Sequence, residues 1–303
     1  MDAEESSERE SSSARVHTPA LVRARAAMRF RAKRAVIDAM SMAWRATGQL
    51  DRALSRPRVQ VLVLHHVDDS MVDSFRSFIE QLSKRVQFVS YSRAIETIVH
   101  GTIDRPMITL SFDDGFASCV RAATVMEEFG AKGMFFVNPR IVGETRSDVL
   151  NAWRSRLRIT HSDGFMNWDD CGKLMLRGHE IGNHSMDHFN LGLPETDLNE
   201  QIGKSKEVLI ENLGERPIHF AWPFGTVARF SKQAREEFFR TGHASCASSL
   251  RGAHVERCAR TEDLCVRRDH VWFRWPVHHN IFLSARSAKR ATGNDNHWPN
   301  TLS

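Results

Sequence analysis

The feature that most constrains the fold is a short apolar stretch that runs directly into two carboxylates and a glycine. Residues 108–112 (Ile-Thr-Leu-Ser-Phe) combine β-branched and apolar side chains, and Asp113, Asp114 and Gly115 follow at once. This pattern is typical of a short buried strand. In α/β folds the carboxyl ends of strands carry the chemistry. An Asp-Gly turn after a strand is also common without any function, so this stretch alone leaves both interpretations open.

The rest of the chain alternates strand-like and helix-like patterns. Residues 60–64 and 133–137 are apolar runs typical of buried strands, whereas residues 75–86 and 116–129 show helical spacing of apolar side chains. This alternation favours βαβ units and a parallel sheet, and therefore an α/β fold. A chain of 303 residues could form one large α/β barrel or two small domains, and its length does not decide between them.

A second motif adds two imidazoles to the two carboxylates. His184 and His188 are four residues apart, so one helical turn or a tight loop can direct both rings at one centre. This spacing alone is weak evidence in a chain with 15 histidines. Two adjacent ionised Asp side chains repel each other, and a cation that takes one of them as a ligand removes the repulsion. One Asp and two His would leave open positions for water and substrate, as a catalytic metal requires.

Three motifs together resemble the polysaccharide deacetylase family, also called the NodB-homology or carbohydrate esterase family 4 group. They are residues 111–115 (Ser-Phe-Asp-Asp-Gly), 184–188 (His-Ser-Met-Asp-His) and 220–225 (Phe-Ala-Trp-Pro-Phe-Gly). Their order and separation agree with the family, and the resemblance covers roughly residues 57–275. The histidine after the first strand is similar to a feature of the exopolysaccharide-deacetylase-like branch. The resemblance implies a distorted, incomplete (β/α)7-type barrel.

The resemblance also implies a ligand set and a catalytic base. Asp114, His184 and His188 would bind one divalent metal ion, and Asp113 would act as the base. Zn²⁺ is the expected ion, and these ligand types also accept Co²⁺, Ni²⁺, Mn²⁺ or Fe²⁺. The family often has an arginine where Ala221 stands, so another cation must hold Asp113 here.

The remaining roles implied by the resemblance lie at the ends of other strands. The backbone N–H of Phe224, after Pro223, would face the developing oxyanion. His65 would be the general acid, although His66 is an alternative one residue away. The cation that holds Asp113 is expected to be Arg267 or Arg268, and Arg268 fits the branch better. A structural role for His65, packed and merely hydrogen-bonded, is also open.

These roles imply a metal-dependent hydrolase that removes N-acetyl groups from an amino-sugar-containing glycan or glycan precursor and releases acetate. Two other functions are considered: hydrolysis of another amide or an O-acetyl ester, and a non-catalytic carbohydrate-binding relic of the fold. The expected partner is a carbohydrate or glycolipid substrate. The sequence does not indicate an oligomeric state.

The sequence divides into a catalytic domain and flanking segments. We expect a disordered acidic and Ser-rich tail over residues 1–20, a basic helical extension over 21–56, the deacetylase domain over 57–283 and a frayed polar tail over 284–303. The basic helix could pack on the barrel or contact an anionic membrane surface through residues 21–48. Nucleic-acid binding is not expected, because no other basic platform with aromatic residues occurs.

Composition favours a cytoplasmic location, with the inner membrane face as a candidate site of peripheral contact. The mean hydropathy is −0.40, and no apolar run approaches the roughly 20 residues of a membrane span. The N-terminus lacks an apolar signal region. Five scattered cysteines, an odd number, suit a reducing compartment. Near the C-terminus, residues 271–276 (Val-Trp-Phe-Arg-Trp-Pro) are expected to close the barrel or to line the sugar site.

Overall fold

The structure is a computed structural model that describes residues 19–157, 159, 163–216 and 218–302, with side chains from residue 28. The helices are α1 Pro19–Ala46, α2 Gln49–Leu54, α3 Val72–Ser83, α4 Tyr91–His100, α5 Ser118–Glu127, α6 Ser147–Leu157, α7 Trp168–Leu176, α8 Ser205–Leu213, α9 Lys232–Arg240 and α10 Val277–Arg290. The strands are β1 Arg58–Leu64, β2 Gln87–Phe88, β3 Pro106–Phe112, β4 Gly133–Val137, β5 Glu180–Asn183, β6 Phe220–Ala221, β7 Cys246–Ala247, β8 Cys265–Val266 and β9 Arg268–His270. Residues 1–18, most of the tail predicted as disordered, lie outside the described residues.

The strands form one nearly closed parallel barrel surrounded by helices. Their order is β8-β7-β6-β5-β4-β3-β1-β9, and β2 pairs with β3 outside this path. Only Arg267 separates β8 from β9, so one chain segment supplies both edges of the sheet. Counted as one interrupted strand, β8 and β9 complete a ring of seven strands. The predicted distorted (β/α)7-type barrel is confirmed.

The longest strands, β3 and β1, lie side by side, and β1 also pairs with β9. All seven residues of β1 are buried, and β1 pairs in register with β3 from Arg58↔Pro106 to Leu64↔Phe112. A strand of a parallel barrel is covered on both faces, which explains its nearly continuous apolar sequence. The surrounding helices bury one apolar face each. In α3 the buried side chains are Phe75, Phe78, Ile79 and Leu82, at the spacing of one helical stripe.

The segments before and after the barrel pack together. Helix α1 contacts α2 and α10, and its buried side chains include Ile37 and Ser41. The opposite side of α1 exposes Met28, Val36 and Met42. The described helices lack an apolar stretch long enough to cross a membrane.

The structure differs from the predicted frayed tail over residues 284–303. Helix α10 continues to Arg290, and Trp298 and Leu302 are buried. The Trp298 ring lies parallel to the Trp222 ring, 6.0 Å away, and its Nε1–H donates to the carbonyl of Glu262. Isolated apolar residues in a polar segment give no periodic signal. Two such residues, Trp298 and Leu302, nevertheless anchor this segment.

The aromatic cluster over residues 271–276 divides between core and surface. Phe273 packs edge-on against Phe75 and Phe78 of α3, so this member belongs to the core. Trp272 is instead 54% exposed, beyond the carboxyl end of β9. Barrel closure is therefore the wrong expectation for Trp272.

Candidate active site

Three strands bring the predicted polar residues to one end of the barrel. Asp113 and Asp114 follow β3 and His184 follows β5, whereas Arg268 begins β9 and its long side chain reaches Asp113. Carboxyl ends of parallel strands meet at the same edge of the sheet, so residues far apart in sequence become neighbours. The Asp113 N–H donates to the carbonyl of Leu64 at 3.0 Å, which links the ends of β3 and β1.

One carboxylate oxygen and two imidazole nitrogens converge beside the barrel end. Asp114 Oδ1 lies 3.4 Å from His184 Nε2 and 3.3 Å from His188 Nε2, and all three residues are buried. Around a tetrahedral ion with bonds of about 2.0–2.1 Å, two ligand atoms are about 3.3–3.4 Å apart. Asp114 Oδ1 is also buried without a hydrogen-bond partner among the described residues. This group can therefore hold a metal ion.

The backbone orients both histidines. His184 Nδ1 lies 2.7 Å from the carbonyl oxygen of Ala221. A carbonyl only accepts, so Nδ1 carries the hydrogen and Nε2 presents its lone pair toward Asp114. The backbone N–H of His188 donates to Ser185 Oγ at 3.0 Å, and the imidazole ring of His188 meets the Phe224 ring edge-on at 4.7 Å.

Unusual backbone conformations are concentrated at this site. Among the described residues, the non-glycine residues with positive φ are Asp114 (72°), Ser185 (66°), His188 (55°) and Phe224 (64°). Each costs roughly 1–3 kcal/mol where the side chain is not glycine, so the surrounding contacts must compensate. Asn138 supplies some of these contacts, because its side-chain amide donates to the carbonyls of His184 and Ser185.

A buried arginine holds the second carboxylate. Arg268 donates from Nη1 to Asp113 Oδ1 at 2.7 Å and from Nη2 to Oδ2 at 2.9 Å. Its Nε–H donates to the carbonyl of Ser248 at 2.6 Å, which fixes the guanidinium plane. Burial raises the pKa of Asp113, but the charges of Arg268 and His184 and the hydrogen bonds from Arg268 together outweigh burial, so the net pKa lies below the usual value. Asp113 is therefore ionised and oriented.

The two histidines after β1 face different surroundings. The His65 ring stacks on the His270 ring at 6.0 Å, whereas the His66 ring meets Phe116 edge-on at 6.1 Å. Burial raises the pKa of Asp114, but the nearby imidazoles of His184, His188 and His65 hold it below its usual value. His65 is thus the member of the pair that faces the carboxylates.

His270 belongs to this cluster, and sequence reasoning missed it. Burial lowers the pKa of His270 to about 4, and the charge of His65 adds to this effect. Its ring meets the exposed Trp272 edge-on at 6.1 Å. The signal that could have found it is the rule used above for the other strands, because His270 ends β9.

The turn after β6 brings Phe224 over the imidazoles. Pro223 and Phe224 follow Trp222, and the Gly225 N–H donates back to the Trp222 carbonyl at 3.1 Å. Within the described chain, the Phe224 N–H donates to no protein group, and its ring is 46% exposed. Arg267, the other arginine considered, points away and donates to the carbonyl of Asp295.

Part of the chain matches a known protein family. Residues 100–243 match the family model described as polysaccharide deacetylase, a shorter range than the predicted 57–275. No curated protein matches the chain.

Several solved structures share the fold. IcaB from Ammonifex degensii is 20% identical with a TM-score of 0.60, over 75% of this chain and 97% of that chain. The Streptococcus pyogenes deacetylase PplD, in complex with acetate, is 14% identical with a TM-score of 0.59, over 74% and 97%. A de-N-acetylase from Aggregatibacter actinomycetemcomitans is 17% identical with a TM-score of 0.54, over 71% and 95%.

Proposed function

We propose that this chain, whose residues 100–243 match the polysaccharide deacetylase model, is a metal-dependent hydrolase of carbohydrate N-acetyl groups. Its substrate would be an amino-sugar-containing glycan or glycan precursor, and its products would be acetate and a free amine. One observation carries the proposal: the convergence of Asp114, His184 and His188 beside a carboxylate that an arginine holds ionised.

Asp114, His184 and His188 would hold one divalent ion. Zn²⁺ suits two imidazoles and a carboxylate, and Co²⁺, Ni²⁺, Mn²⁺ and Fe²⁺ accept the same donors. When bound, such an ion polarises the acetyl carbonyl and makes water more acidic.

Asp113 and Phe224 would serve the attack of water on the acetyl carbon. Asp113 accepts a proton from the attacking water as the new carbon–oxygen bond forms. Arg268 occupies both oxygens of Asp113 from one side, so the carboxylate keeps a fixed orientation. The unpaired N–H of Phe224 can donate to the oxyanion that develops on the former carbonyl oxygen.

His65 would serve the departure of the amine. Breaking the carbon–nitrogen bond requires a proton on nitrogen, because an amine anion is a very poor leaving group. The charge of His65 acts on both Asp113 and Asp114, which supports His65 as the donor. His270 stacks on the other side of His65 and would limit the positions of its ring.

The test is acetate release from N-acetylglucosamine oligosaccharides and from glycolipids that carry N-acetylated sugars. We expect release by the zinc-loaded protein, inhibition by a chelator, and recovery when Zn²⁺ is returned. Release from O-acetylated sugars alone would instead support the ester hydrolase. Binding of oligosaccharide with no release by the metal-loaded protein would support the carbohydrate-binding relic.

We further propose that the protein acts at the cytoplasmic face of a membrane through α1. The exposed Met28, Val36 and Met42 lie on one side of this helix, and basic residues flank them. The described chain has five buried free thiols, which suits a reducing compartment. Flotation with anionic vesicles but not with zwitterionic vesicles is the expected result, and equal recovery with both would contradict it.

A further inference from the structure

A second group of metal-ligand type lies outside the barrel, where α1 meets α10. Asp38 projects from α1, and His278 and His279 are in the first turn of α10. Asp38 Oδ1 lies 2.7 Å from His278 Nε2 and 2.5 Å from His279 Nε2. The proposed reaction does not use any of these residues.

The two imidazoles converge on one oxygen. A carboxylate has two oxygens, and two separate hydrogen-bond donors can be shared between them. Here both Nε2 atoms point at Oδ1, although neighbouring residues on a helix project about 100° apart. The Nε2 atoms and Oδ1 lie within 4.8 Å of one another, which is the convergence that a bound cation requires.

Asp38 lies on a basic helix and pairs with the two histidines. Asp38 is the single acidic residue in the sequence of α1, which has seven basic residues. Within the described part of the chain, its ion pairs are with His278 and His279. His279 has a fully buried side chain, whereas Asp38 and His278 are 37% and 40% exposed. One side of the group is therefore fixed and the other is accessible from solvent.

We propose that Asp38, His278 and His279 form a second divalent-metal site that fastens α1 to the barrel. Two imidazoles and one carboxylate suit Zn²⁺, with water completing its shell. The hydrogen-bonded spacing must widen to about 3.3 Å around a tetrahedral ion. Rotation of the partly exposed Asp38 and His278 side chains provides this change while the buried His279 stays in place.

The experiment measures zinc per chain, by elemental analysis, in protein without a polyhistidine tag after saturation with Zn²⁺ and removal of excess. The wild type should hold two ions, and His184→Ala should hold one. Adding Asp38→Asn and His278→Gln to His184→Ala should remove the last ion. These two changes avoid the buried His279, so the fold is retained, and circular dichroism checks this. His100→Ala, an exposed histidine outside both groups, is the matched control and should keep two ions.

A second readout is independent of stoichiometry. Zn²⁺ should raise the Tm of His184→Ala and slow proteolysis within α1, and Asp38→Asn with His278→Gln should abolish both effects. A folded His184→Ala protein that holds no zinc and gains no stability from it would overturn the second site. A different outcome would disprove the barrel site and support this one. In that outcome the wild type holds one ion, and only the changes at Asp38 and His278 remove it.

Discussion

The described part of the chain has two groups with the same three donors, two histidines and one aspartate, and they differ in how the chain holds them. At the barrel end, Asp114 Oδ1 is 3.3–3.4 Å from the imidazole nitrogens. At the junction of α1 and α10, the corresponding distances from Asp38 are 2.5–2.7 Å. The first spacing is too wide for good hydrogen bonds and the second is typical of them.

The backbone explains this difference. Asp114 and His188 have positive φ angles in tight turns, so they cannot move together without changing strained backbone. Asp38, His278 and His279 lie on regular helices, and the partly exposed side chains of Asp38 and His278 are free to shorten their contacts. The barrel site is therefore organised before a ligand arrives, whereas the helix junction must adjust. Equal composition does not imply equal preorganisation.

The largest expected contrast comes from removing one histidine of each group. His184→Ala should reduce acetate release to background, because it removes a ligand and the contact with the Ala221 carbonyl. His278→Ala should leave acetate release unchanged, since no described contact joins it to the barrel end. Acetate assays on zinc-loaded proteins measure both, and equal losses would contradict the division of roles.

The next contrast concerns the carboxylates. Asp113→Asn should lower kcat by about 10²- to 10⁴-fold, because an amide cannot accept the proton from water. Zinc content should stay at the wild-type value, since Asp113 is not in the ligand set. Asp38→Asn is the matched control and should keep kcat. Full activity in Asp113→Asn would show that another group is the base.

A smaller effect on stability is expected from changing the arginine that holds Asp113, and a basic residue of α1 serves for comparison. Arg268→Gln leaves Asp113 buried without its cation and should cost about 3–5 kcal/mol of unfolding free energy. Arg268→Lys keeps the charge but loses the bidentate contact, so a smaller loss is expected. Lys33→Gln removes an exposed charge on α1 that lies over the Trp275 ring, and it should have little effect. Urea denaturation at pH 7 gives these values, and a loss from Lys33→Gln as large as that from Arg268→Gln would refute the contrast.

The smallest effect is a pH dependence of the helix junction. Hydrogen bonds from His278 and then from His279 lower the pKa of Asp38 below its ordinary value of 3.8. A carboxyl with a lowered pKa stabilises the folded state above pH 3.8, and this contribution disappears as the pH falls through the lower folded value. Hydrogen exchange in α1 should therefore accelerate modestly below pH 3.8. Asp38→Asn should remove this acceleration, and an unchanged profile in that variant would contradict the assignment.

Much of the barrel and its end could be predicted from local patterns. Strands such as β1 and β3 are mostly apolar runs. Asp113, Asp114 and His184 could be predicted to lie at the barrel end because each comes directly after a strand. The expectation that an arginine near the last strand meets Asp113 relied on the family resemblance, and the structure joins Arg268 to Asp113. The catalytic roles of these residues remain predictions.

Other features could not be predicted, because they depend on contacts between distant segments. Asp38 and His279 are 241 residues apart, and neither lies in a motif. Trp298 docks by stacking on the Trp222 ring, and no periodic pattern in the sequence shows this contact. The exposure of Trp272 depends on how the chain leaves β9. Local sequence gives the elements, while packing outside the barrel depends on shape.

The interrupted strand from Cys265 to His270 has a consequence for biosynthesis. Because this segment supplies both sheet edges and also carries Arg268, the ring and the Asp113 support are completed together. A nascent chain lacks both until residues 265–270 have been translated. The order of synthesis thus delays closure of the ring until this segment has been made.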